Sequence, residues 1–186
     1  ATYAVTFLMS LYLQYIKGMS PQVAGTILVA QPVCMALFSP LAGKLSDKIE
    51  PRVLASTGMG LTALGLFALH DIGHQTSLYE IIAILILLGV GFALFSSPNM
   101  NAIMGAVTQK YYGIASGTVA TMRLLGQMTS MAVATVVFAI LIGNQQITPA
   151  IYDLFLQSVH LCLAISFAMC LMGVFFSLFR GNLRRK

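Results

Sequence analysis

The chain of 186 residues is 58% hydrophobic and only 8% charged, with a formal net charge of +5 at pH 7. A water-soluble domain carries about 25% charged residues, so too few charges remain here to coat a water-facing surface. A bilayer-crossing helix needs about 20 apolar residues, which leaves room for about six spans and little else, and the fold class is an all-α polytopic membrane protein.

Apolar runs separated by polar turns predict six spans in one bundle, at 1–17, 22–42, 53–70, 78–107, 114–143 and 151–179. The first run is short and opens on Ala1 rather than Met, as expected of a fragment or a processed chain. Within it Thr6, Ser10 and Gln14 recur every four residues, a polar stripe on one helix face and a candidate cavity lining. Ser20 is placed to cap the second span, and Pro21 suits its first position. That span holds Pro32 and Pro40, each of which removes a backbone donor, so a kink is expected. Gln31, near mid-span, is expected to face other helices, satisfying the kink or touching a ligand.

Between the second and third spans stand Lys44, Asp47, Lys48, Glu50 and Arg52, the densest charge cluster in the chain, read as a short loop. The third span carries Gly58, Gly60 and Gly65, small residues that favour close helix packing. His70 and His74 follow at a spacing of four, but Gly73 interrupts the helical pattern and no further strong ligand cluster accompanies them. Neither a metal nor a cofactor is expected. The fourth span contains Ser96, Asn99 and Asn101 around Pro98; amides at that depth are costly unless paired or wet, which suggests a cavity wall.

In the fifth span Ser116, Ala120, Arg123, Gln127, Ser130 and Ala134 share one face. Arg123 lies about 15 Å along a helix starting near Gly113. A charge there is a functional candidate, the alternative being an arginine that snorkels to lipid phosphate. His160, alone on the apolar sixth span, is expected to make a helix–helix hydrogen bond. Cys34, Cys162 and Cys170 lie in apolar runs with no metal or redox spacing.

Lys44, Lys48, Arg52, Lys110, Arg180, Arg184, Arg185 and Lys186 fall on one side and Lys17 on the other. The positive-inside rule then puts both termini in the cytoplasm of a multi-pass cell-membrane protein. The basic residues are explained by topology and anionic lipid, so no nucleic-acid partner is expected.

The pattern Gly43-x-Leu45-x-Asp47-Lys48-x-x-x-Arg52 resembles the loop motif of the major facilitator superfamily, which joins the second and third helices of each six-helix half. Glu50 departs from it, since the family usually has Gly there. Ser97-Pro98-Asn99, Gly113-x-Ala115-Ser116-Gly117 and Met122-Arg123-x-x-Gly126-Gln127 are similar to the C-terminal half of the fourteen-span drug:proton antiporters. The resemblance implies two three-helix repeats forming half of a major facilitator fold. It makes Gly43, Asp47, Lys48 and Arg52 a conformational-switch loop, and Thr6, Ser10, Gln14, Gln31, Ser96, Asn99, Asn101, Arg123 and Gln127 a cavity for a small lipophilic substrate. It also implies efflux by alternating access, with a homodimer or a separate N-terminal half as partner through Gly25, Ala36 and Ala42 and the small-residue face of the fifth span. No Asp or Glu lies securely inside a span, so no proton site is evident in this chain. An uptake carrier for a small solute, a non-transporting membrane assembly module and a truncated fragment are the alternatives; no nucleophile–base pair suggests an enzyme.

Overall fold

The computed structural model describes residues 2–143 and 147–179, and among them every regular element is helical. The helices are α1 (Thr2–Leu11), α2 (Pro21–Leu28), α3 (Ala30–Lys48), α4 (Pro51–His70), α5 (Leu78–Gly105), α6 (Tyr112–Leu141) and α7 (Tyr152–Phe179). Five stretches are long and apolar enough to cross a bilayer, Pro21–Lys48, Pro51–His70, Leu78–Gly105, Gln109–Leu141 and Pro149–Ser177, while the apolar helix Tyr3–Ile16 is shorter. The chain is an all-α polytopic membrane protein. The basic tail expected at Arg180, Arg184, Arg185 and Lys186 lies outside the described residues.

Local chemistry sets the boundaries. The Ser20 hydroxyl accepts from the Val23 amide with Pro21 at the first helical position of α2. The second span is divided at Val29, because Pro32 has no N–H to offer the carbonyl four residues back. Pro40, by contrast, sits within continuous α3. Ser77 and Glu80 form a capping box at the start of α5, the serine oxygen meeting helix amides and Glu80 Oε2 accepting from Ser77 N at 3.1 Å. Past Leu11, α1 widens into a π-turn over Tyr12–Ile16.

The charged stretch read as a loop is mostly helix. α3 continues through Lys48, and only Ile49 and Glu50 separate it from α4. α3 ends where Ile49 turns extended, at φ −104° and ψ 149°, and Pro51 holds Glu50 out of the helical region as well, at φ −59° and ψ 125°. Gly43, Lys44, Asp47 and Lys48 are therefore the last turns of α3, and Arg52 opens α4.

In lipid, helices do not associate to escape water; they associate where backbones can come close. α4 packs on α5 and α7, and α5 packs on α3. A methyl group on Gly58 would lie 2.6 Å from the Gly91 carbonyl oxygen and 2.6 Å from the Phe95 nitrogen, so α4 and α5 meet backbone to backbone. Gly89 faces α3 in the same way, its missing methyl falling 2.5 Å from the Gln31 carbonyl oxygen. Gly60 faces open space, so of the glycines read as packing residues, Gly58 and Gly65 pack and Gly60 does not. On the other flank of α4, the Ser56 hydroxyl bonds Ser177 of α7 at 2.8 Å.

The connection between α4 and α5 is clamped by three bonds, two from the end of α1 and one from α7. Tyr12 Oη donates to the Gly73 carbonyl at 2.7 Å, Lys17 Nζ donates to the His74 carbonyl at 2.7 Å, and His160 Nε2 lies 2.7 Å from the Ile72 carbonyl. His160 thus bonds a loop carbonyl, while its contact with a neighbouring helix is a tilted ring pair with His70 at 5.3 Å. The α1 stripe also divides: Gln14 Nε2 donates to the Ser10 hydroxyl and carbonyl, at 2.9 and 3.1 Å, leaving Thr6 exposed on its own.

The close crossing of α4 and α5 predicts that Gly58→Ala destabilises the bundle by about 1–3 kcal/mol, the usual cost of overpacking. Gly60→Ala is expected to stay within about 0.5 kcal/mol of the parent. Thermal unfolding followed by a thiol-reactive dye, reporting exposure of buried Cys162 and Cys170, measures both. Equal melting of the two variants would contradict the crossing.

Candidate functional site: a trough between α5 and α6

α6 is buried at one end only. Its buried residues are Ser130, Ala134 and Val137, all in the C-terminal half, and the Ser130 hydroxyl accepts from the Ala4 amide of α1 at 3.2 Å. From Tyr112 to Thr129 none of its residues is buried. This half stands off α5 and leaves two open cavities.

The first, about 540 Å³, lies among α1, α2, α3, α5 and α6. Its polar lining is Tyr3, Thr6, Gln31, Arg123 and Gln127, and Met35, Phe92 and Met122 supply soft apolar surface. The second, about 570 Å³, lies between α5 and α6 and is lined by Ser96, Asn99, Thr118 and Arg123 together with Phe92, Phe95, Met100 and Met122. Phe92, Met122 and Arg123 line both, so the two adjoin as one trough. Both have the volume of a small-molecule site. Arg123 Nη2 approaches the Ser96 hydroxyl at 3.4 Å, bridging α6 to α5.

The sequence candidates fall into three groups. Thr6, Gln31, Ser96, Asn99, Arg123 and Gln127 line the trough. Ser10 and Gln14 are in neither lining and bond each other. Asn101 points elsewhere: its Nδ2 donates to the Ser46 hydroxyl at 2.8 Å, and Ser46 donates to the Gly43 carbonyl at 2.7 Å. Five residues past Ser96, Asn101 has turned to the α3 side, where it ties α5 to the charged end of α3. A methyl on Gly43 would sit 3.1 Å from the Ser97 hydroxyl oxygen, so the same end of α3 lies close against α5. Arg52 Nε lies 3.8 Å from Glu50 Oε1 across the turn into α4.

Phe92 and Phe95 were not anticipated, and Met122 entered only as part of its motif. The signal was present: Phe92, Phe95, Ser96, Asn99 and Ile103 follow at helical spacing, as do Ala115, Thr118, Met122, Arg123 and Gly126. Among the described residues there is no group of three or more metal-ligating side chains.

The sequence matches the Major Facilitator Superfamily over residues 1–185. The chain belongs to this family. It is 32% identical over 136 residues to the riboflavin transporter RibZ of Clostridioides difficile, covering 73% of this chain and 29% of that protein. It is 36% identical over 121 residues to the uncharacterized transporter YebQ of Escherichia coli, covering 65% of the chain and 26% of YebQ. The multidrug resistance protein Stp of Mycobacterium tuberculosis is 32% identical over 139 residues, covering 75% of the chain and 26% of Stp. The chain thus spans less than a third of the length of these relatives.

If the trough is wet, cysteines placed in it react with a membrane-impermeant maleimide. In a background lacking Cys34, Cys162 and Cys170, Ser96→Cys and Gln127→Cys are expected to label readily and Leu85→Cys, fully buried, to stay unlabelled. Equal labelling at all three positions would show that the trough is closed or that the bundle has opened.

Proposed function

We propose that the chain is one six-helix half of a secondary transporter that exports bulky lipophilic compounds by alternating access. The supporting observation is the trough itself. It joins polar groups of α1, α3, α5 and α6 to a soft wall of Phe92, Met100 and Met122, as a site for large, weakly polar molecules needs. Relatives named for multidrug and tetracycline resistance favour the same reading. In this reading the end of α3, Gly43 to Lys48 with Arg52, is the conformational switch, and the basic residues place both termini in the cytoplasm.

The proposal includes a partner, a separate N-terminal half or a second copy, covering the open side of the trough. Ala36, Ser116 and Ala120 stay exposed on that account, whereas Ala42 and Ser130, expected at the interface, are buried within this chain.

The test is dye efflux from cells or vesicles that contain the chain with its partner. Efflux is expected, and Asn99→Ala is expected to reduce it several-fold at unchanged membrane abundance. Efflux unaffected by changes throughout the trough would sink the reading, and no flux under any pairing would favour a non-transporting assembly role.

Asp47→Asn removes a charge at the end of α3 without altering topology, because acidic residues contribute little to orientation. We expect transport to fall about tenfold, one charge-assisted hydrogen bond's worth, with normal insertion. Parent-level transport by this variant would remove Asp47 from the switch.

A further inference from the structure

The trough carries one residue charged at neutral pH, and it is a cation. Arg123 lines both cavities, while the five acidic residues, Asp47, Glu50, Asp71, Glu80 and Asp153, line neither. Its one hydrogen bond among the described residues is that to the Ser96 hydroxyl, and 3.4 Å is long for such a bond. A guanidinium has five donors in a planar fork, so most of this one is uncommitted. A cation so placed within a span demands an acceptor. Beside it, Phe92 and Phe95 stand 6.4 Å apart with rings tilted by 58°, an aromatic wall on α5, and Met122 faces the same space from α6.

We infer that the trough selects planar aromatic organic anions, with the ring against Phe92, Phe95 and Met122 and the carboxylate, sulfonate or phosphate oxygens in the fork of Arg123. Planar oxyanions match the guanidinium in two parallel hydrogen bonds. Cations built on the same ring system meet repulsion and find no carboxylate in this lining. This deepens the export reading and rests on its assignment of the trough as the substrate site. A lipid phosphate offers the same oxygens without a ring, so the aromatic wall is what separates the two sources.

The experiment uses the full chain in nanodiscs of zwitterionic phosphatidylcholine. It is titrated with fluorescein, an anionic xanthene, and with a rhodamine ester, a cation on the same ring, and binding is read by fluorescence anisotropy. Fluorescein is expected to bind about tenfold tighter or more, the worth of one charge-assisted hydrogen bond. Arg123→Gln should erase that preference, and Arg123→Lys should restore only part of it, because lysine offers a point charge without the fork. Phe92→Ala should weaken both dyes. Equal affinity for the two dyes, or a preference for the cation, overturns the inference and leaves the trough as a binding site. Fluorescein binding unchanged by Phe92→Ala and fully restored by lysine also overturns it, because the site then reads the charge without the ring or the fork. If neither dye binds to protein that still melts cooperatively, the substrate site and the inference fall together.

Discussion

Everything in this bundle depends on the backbone contact between α4 and α5 at Gly58 and Gly91, repeated between α5 and α3 at Gly89. With lipid as solvent, burying leucine against leucine gains little over burying it against acyl chains. What distinguishes one arrangement of helices from another is how closely the backbones approach, and here a single methyl group has no room. The Thr62 hydroxyl, bonded to the Gly58 carbonyl at 2.9 Å, lies against Gly91 and fills the remaining space. α3 packs on α5, α5 on α4 and α4 on α7, while α6 meets the bundle mainly through α1 and α7.

α5 is the element that the two ends of the site share. One face offers Ser96 and Asn99 to the trough, and another holds Ser97 and Asn101 against the last turns of α3. Pro98 stands between them in an unbroken helix. It has no N–H for the Leu94 carbonyl, and Gly58 of α4 lies close against Gly91, Leu94 and Phe95. The turn of α5 ahead of Pro98 therefore lies against the backbone of α4. A tilt of α5 would be felt at once by the trough wall and by the Asn101–Ser46–Gly43 chain of hydrogen bonds.

The span pattern was legible because hydropathy and caps are local: Ser20 and Pro21 begin α2 where the residues say they should. So were Gly58 and Gly65 as packing residues, though periodicity alone did not separate them from Gly60, whose face of α4 meets nothing. The charged end of α3 was misread because charge suggests a loop, whereas lysine and leucine are good helix formers and carry α3 beyond the apolar run to Lys48, where Ile49 turns extended. Asn101 was grouped with Asn99 from proximity in sequence, yet two residues turn a helix by about 200°, enough to move one amide from the trough to α3. Phe92 and Phe95 were overlooked because an aromatic in an apolar span looks like lipid-facing packing until its neighbours across the gap are known.

The openness of the trough follows from how α6 is fastened. Ser130 and Ala134 are small, which lets the C-terminal half approach α1 closely enough for the Ala4 amide to reach a hydroxyl. Toward the N-terminus the same face carries Gln127, Arg123 and Met122, which are too long or too polar to lie flat against the phenylalanines of α5. Along this half Arg123 stays on the exposed face of α6, and its contact with Ser96 at 3.4 Å bridges the gap to α5.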